Sequence, residues 1–203
     1  MVALAEGTVV DADDLIAEMY TTAEEHTKEL GKIEDFDENQ LSELYHMIGI
    51  GALKYFILKV DPKKRMMFIP EESIQFQGNT GPFIQYTHAR ISSILRKSQE
   101  SGISVPVNFS RDMELHPTEA TMLMLLSNLP ARLKEAAGEY SPSVIANYCY
   151  DLAREYNRFY TELSVLSEPD AAKRAFRVAL SAFTAKTIHI SMSLLGIIVP
   201  ERM

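Results

Sequence analysis

At 203 residues and 46% hydrophobic, the chain can bury a sizeable core, which excludes a disordered polar segment. Its net charge of −8 argues against a uniformly basic nucleic-acid binder. The single cysteine, Cys149, rules out an internal disulfide, and no apolar run approaches the roughly 18 residues needed to span a bilayer.

The opening "MVALAEGTVVDADD" has neither the basic start nor the apolar core of a signal peptide. A soluble, cytoplasmic protein with no membrane contact is expected. Thr8, Val9 and Val10 form a short β-prone entry to a helix that Asp11 or Asp13 caps and Gly31 ends. "FDENQLSELYHMIGIGALKYFILK" predicts a second helix, with Leu41, Leu44, Ile48 and Leu53 near helical spacing. Gly49 and Gly51 weaken its middle by about 1 kcal/mol each relative to Ala. The next stretch, through "VDPKKRMMFIPEESIQFQGNTGP", is an irregular connection with β-prone pieces.

From Pro82 the chain reads as five helices with short connections, which implies an all-α helical bundle. The first stops at Gly102. The second starts at Pro117 and Thr118, and the third at Pro130. The fourth follows a Ser141 cap and keeps Ile145, Cys149, Leu152, Tyr156, Phe159 and Leu163 on one face; the fifth runs from about Asp170 to Gly196. Cys149 lies in an apolar helical run and is expected to be a buried, inert thiol.

Charge divides the chain. Residues 1–77 hold 7 Lys and Arg against 16 Asp and Glu, a balance of −9; residues 78–203 hold 13 against 12, a balance of +1. The expected organisation is therefore an acidic connector over 1–77 and a bundle over 78–203.

The boundary stretch "GNTGPFIQYTHAR" has a local explanation as a hinge and helix cap. Thr80 or Asn79 can accept the first free helix N–H groups, Pro82 suits the first turn, and Gly78 and Gly81 permit a tight approach. On a helical wheel, Ile84, Ile91, Ile94 and Leu95 face the core, and Gln85, Ser92 and Arg96 form a polar face. Tyr86, Arg90, Ser93 and Lys97 share a third sector. An aromatic ring flanked by cations suits a single-stranded base and its phosphates; it equally describes a half-buried tyrosine beside solvated basic side chains. Arg154 and Arg158, with Tyr160 close by, and Lys173, Arg174 and Arg177 read singly as solvated faces. His26, His46, His116 and His189 are isolated, no spacing suggests a metal, and no nucleophile has a base beside it.

Together these residues have a familiar pattern. "GNTGPFIQYTHARISSILRK" closely resembles a segment of arginyl-tRNA synthetases, and "LLGIIVPERM" resembles the ending typical of that family. "YNRFYTEL" and "RAFRVALSAFTAKTI" resemble its helical anticodon-binding domain, and "GTVVDADDLIAEM" the segment after its ATP-binding loop. The His-Ile-Gly-His and Lys-Met-Ser type signatures are absent.

The resemblance implies a helical bundle of the class I synthetase anticodon-binding type, preceded by a helical connector. It implies a tRNA partner, and a parent ligase that joins arginine to tRNA using ATP. This chain would be the C-terminal portion, a monomer that packs on its own catalytic domain. It would hold no cofactor and no catalytic residue of its own, ATP and arginine being bound by the domain it lacks. Carried over by motif, Gln85, Tyr86, Tyr160 and Met203 are expected at the anticodon loop. Arg90, Lys97, Arg154, Arg158 and Arg202 are expected at the RNA from charge and spacing. The alternative from another class is a helical protein–protein adaptor, for which an acidic, Met-containing bundle is also suited.

Overall fold

The computed structural model describes residues 11–30, 36–67, 70–110 and 112–203. The expected β-prone entry at Thr8–Val10 and the Gly31 helix stop lie outside these residues. Among the described residues there are eight α-helices and no strand: α1 Ala12–Leu30, α2 Glu38–Leu58, α3 Pro70–Ser73, α4 Gly81–Glu100, α5 Pro117–Ser127, α6 Leu129–Glu139, α7 Ser143–Glu162 and α8 Ala171–Leu194. The β-prone pieces anticipated in the 60–82 connection form no strand in its described part, which contains the one-turn α3.

Helix α2 starts at a capping box: Asp37 accepts from the Gln40 backbone N–H at 2.8 Å, and the Gln40 side chain accepts from the Asp37 N–H at 3.1 Å. Met19 and Ala23 of α1 pack with Leu44, Tyr45, Ile48 and Ala52 of α2 and with Ile74 into one apolar cluster. Gly49 and Gly51 do not interrupt α2, because they mark its closest approaches to neighbouring helices. A Cβ on Gly49 would stand 2.8 Å from the Met19 carbonyl oxygen, and one on Gly51 2.5 Å from Gln85 Nε2. What the glycines cost in helix propensity is offset by packing that no larger residue permits.

The second and larger cluster belongs to α4–α8, with Tyr55 of α2 inserted into it. Ile145, Cys149, Leu152, Tyr156 and Phe159 of α7 are buried along one face, as their spacing indicates. Burial pushes the Cys149 thiol up to about 12, which keeps it protonated and inert. Ser141 does not cap α7: Pro142 occupies the cap position without a side-chain hydrogen bond, and the Ser141 hydroxyl pairs with that of Ser143 at 2.8 Å. Asp170 does cap α8, accepting from Ala172 N–H at 2.8 Å and Lys173 N–H at 3.1 Å.

Arg177 departs from the solvated face its sequence neighbours suggest. It is 6% exposed and pairs with Glu119 at 2.7 Å and Glu168 at 2.6 Å. Its Nη1 also donates to the Ser164 carbonyl at 2.8 Å, tying the α7–α8 connection to α8.

Beyond α8 the chain turns at Gly196, which has φ +67, and residues 197–203 run alongside α4 in its own direction. Four side chains hold this tail by its carbonyls. Lys54 Nζ donates to Gly196 at 2.7 Å, Gln85 Nε2 to Ile198 at 2.8 Å, His88 Nδ1 to Pro200 at 2.9 Å and Arg96 Nη1 to Glu201 at 3.1 Å. Satisfied carbonyls allow Ile197, Val199 and Pro200 to lie buried.

Candidate nucleic-acid interface

The hinge stretch positions the first side of the site. Gly78 takes a left-handed φ of +79, and the next residues each do a different task. Thr80 is the helix cap, accepting from the Phe83 N–H at 3.3 Å, with Pro82 in the first turn. Asn79 bridges helices instead of capping: its Oδ1 lies 2.6 Å from the Tyr55 hydroxyl and its Nδ2 donates to Asn147 Oδ1 at 3.1 Å. At Gly81 a Cβ would stand 2.8 Å from the Gly51 carbonyl oxygen, so this residue serves the α2–α4 crossing.

With α4 so aimed, its Tyr86, Arg90, Ser93 and Lys97 sector lines a groove of about 730 Å³. The facing walls are Tyr160 of α7, Leu163–Ser167 of the α7–α8 connection, Arg202 and Met203 of the tail, and Phe36 from before α2. Arg90 is central. Its guanidinium carbon lies 4.9 Å from the Tyr86 ring centroid and 5.3 Å from that of Tyr160, and its Nη1 donates to Asn157 Oδ1. Asn157 is held in turn by donating to Thr87 Oγ1 at 2.8 Å and to the Ala153 carbonyl at 2.9 Å. Arg90 thus bridges Tyr86 and Tyr160 as a cation–π ladder, with Tyr160 43% exposed. Lys97 is exposed on the same side.

The tail completes the groove. Arg202 lies with its guanidinium carbon 4.8 Å from the Phe36 ring centroid, and Met203 packs against the α1–α2 cluster. One side chain of the acidic connector, Phe36, therefore reaches the same groove as the bundle's aromatics.

Three expected RNA residues stand elsewhere. Gln85 is 0% exposed, and its amide donates to the Met47 and Ile198 carbonyls at 3.1 and 2.8 Å. It holds the tail from beneath and presents nothing to solvent. Of the polar sector of Gln85, Ser92 and Arg96, Gln85 and Arg96 hold the tail by its carbonyls, and Ser92 is buried. Arg154 pairs with Asp151 at 3.1 Å, and Arg158 pairs with Glu162 at 2.8 Å and Glu155 at 3.4 Å. Neither lines the groove. Sequence reading missed Phe36, Asn157 and the 163–167 wall, which only tertiary packing brings to Tyr86. Among the described residues no group of His, Cys, Asp and Glu could hold a metal, and no helix is long and apolar enough to cross a membrane.

Fold and groove together define an all-α bundle with an aromatic–guanidinium platform and cations beside it, a class suited to stacking single-stranded bases. Residues 84–203 match the DALR anticodon binding domain, and the chain belongs to that family. The arginine–tRNA ligases of Bacteroides thetaiotaomicron and Flavobacterium psychrophilum are 53% and 54% identical to it over 198 residues, 98% of this chain. The chain spans about a third of their length, 33% and 32%. The solved arginyl-tRNA synthetase of Thermus thermophilus superposes with a TM-score of 0.85 at 29% identity, covering 99% of this chain and 34% of that one.

Proposed function

We propose that this chain reads the anticodon loop of an arginine-accepting tRNA as part of an arginine–tRNA ligase. The observation that carries this is the Tyr86–Arg90–Tyr160 ladder, closed by the tail residues Arg202 and Met203. Unpaired loop bases stack on Tyr160 and the platform behind it, while Lys97 and Arg202 take the adjoining phosphates. Arg90 acts mainly as the layer that bridges the two tyrosines, since its guanidinium is already engaged by Asn157.

Residues 78–203 are the reading bundle and residues 1–77 the connector to the part of the ligase that handles ATP and arginine. The chain alone binds tRNA without joining amino acid to it, and works as a monomer in the cytoplasm, docked on its own catalytic domain. Binding of arginine-accepting tRNA, measured by fluorescence anisotropy beside other tRNAs at low and moderate salt, tests the reading. A preference for the arginine-accepting species that weakens with salt is expected. Equal affinity for all tRNAs, or none for any, contradicts it.

A further inference from the structure

Across the tail from the stacking groove, α4 and α8 enclose a second groove of about 440 Å³. Arg96 and Gln99 of α4, Lys186 and His189 of α8, and Glu201 of the tail line it. Apart from the His189 and His88 imidazoles it has no ring on which a base could stack. Its exposed groups are the donors Arg96, Lys186, His189 and Gln99 and one carboxylate, Glu201. Among the described residues neither Arg96 nor Lys186 pairs with a carboxylate, in contrast to Arg132, Arg154, Arg158 and Arg177. Arg96 spends one N–H on the Glu201 carbonyl at 3.1 Å, which fixes it in place. It lines both grooves, so one guanidinium joins them over the tail.

We infer that this second groove is a phosphate subsite for the RNA strand where it leaves the stacking groove, with Arg96 shared and Lys186 and His189 receiving the next phosphodiester oxygens. The inference rests on the RNA-reading proposal and deepens it: bases are held on one side of the tail and backbone on the other. Arg96 can meet a phosphate with a planar pair of N–H donors, and Lys186 serves as a point charge. Glu201 is the single carboxylate lining the groove and opposes the anion. The tail would therefore act as a low wall between two subsites, anchored from beneath by Gln85 and His88.

The test is the salt dependence of binding between the full chain and the anticodon stem-loop RNA of an arginine-accepting tRNA. Lys186→Ala is the decisive variant, because Lys186 lines the second groove alone and is exposed. It is expected to weaken binding and to reduce the slope of log K against log[salt] by about 0.7, the single-strand value for one lost phosphate contact. Arg96→Ala should do the same, and Glu201→Gln should tighten binding at low salt. Tyr160→Ala should weaken binding with the slope kept. Unchanged slope and affinity in Lys186→Ala, with Tyr160→Ala still weakened, overturns the second groove and leaves the RNA-reading proposal standing. If the parent chain does not bind the stem-loop, both fall.

Discussion

Most arginines of the bundle meet surroundings opposite to those of the groove side, Arg174, which donates to the Glu168 carbonyl, being the exception. Arg132, Arg154, Arg158 and Arg177 each pair with at least one carboxylate, whereas Arg90 and Arg96 have none among the described residues. Arg90 is engaged by rings and an amide, Arg96 by a carbonyl. A cation already answered by a carboxylate holds structure; Arg90, held by neutral groups, serves as a stacking layer, and Arg96 keeps its charge for a phosphate. Neither net charge nor helical spacing separates the two kinds, since both sets sit at ordinary helical intervals.

Breaking the answered set should cost stability. The largest effect is expected at Arg177, where Arg177→Met leaves Glu119 and Glu168 without their cation. Loss of about 3–5 kcal/mol in urea unfolding is the scale for one partner of a buried pair; a loss below that of ordinary surface substitutions would contradict the buried network. Next comes Gln85→Ala, which removes the donor that holds the Ile198 carbonyl, while Met47 keeps its place in the α2 ladder. Loss of the tail anchor and of the buried Gln85 side chain should cost about 1–3 kcal/mol. RNA affinity should fall as well, although Gln85 lies out of RNA's reach, because the tail is released. The pair is sharpened by a cycle with deletion of Met203: once Gln85→Ala has freed the tail, removing Met203 should cost little further affinity. Fully additive losses would mean that the tail's position does not depend on Gln85.

The smallest effects sharpen the other half. Arg158→Ala removes an exposed cation already shared by Glu155 and Glu162, and should leave stem-loop affinity unchanged in the same anisotropy assay. The pH dependence is a slope rather than a break. Burial is the main cause that holds the His88 imidazole below its usual 6.5. The unfolded chain then binds more protons just below pH 6.5, so the stability His88 contributes is full above that pH. It is lost as pH falls from there toward the lower folded value. Urea midpoints from pH 8 to 5 should show this decline, and His88→Gln should flatten it.

Much of this was legible in the chain itself, and the failures share a cause. The α4 wheel correctly grouped Tyr86, Arg90, Ser93 and Lys97, because a helix sets its own sectors by local geometry. It misjudged Gln85 because its partner is the tail, 113 residues away. Arg177 looked solvated because Glu119, 58 residues away, appears beside it only after α5 and α8 pack. Gly49 and Gly51 looked like weak points because α1 and α4, which need their missing Cβ atoms, are invisible to propensity. Tyr160 and Met203 came from family resemblance, and the groove holds both.

The most direct test of the central claim is the affinity of Tyr160→Ala for the anticodon stem-loop of an arginine-accepting tRNA. Tyr160 is 43% exposed and holds no buried partner in place, so its removal should spare the fold. Binding should weaken by about 1–3 kcal/mol, the scale of one lost base stack, with unfolding unchanged. An affinity equal to that of the parent chain would contradict the account, because the ladder would then carry no base.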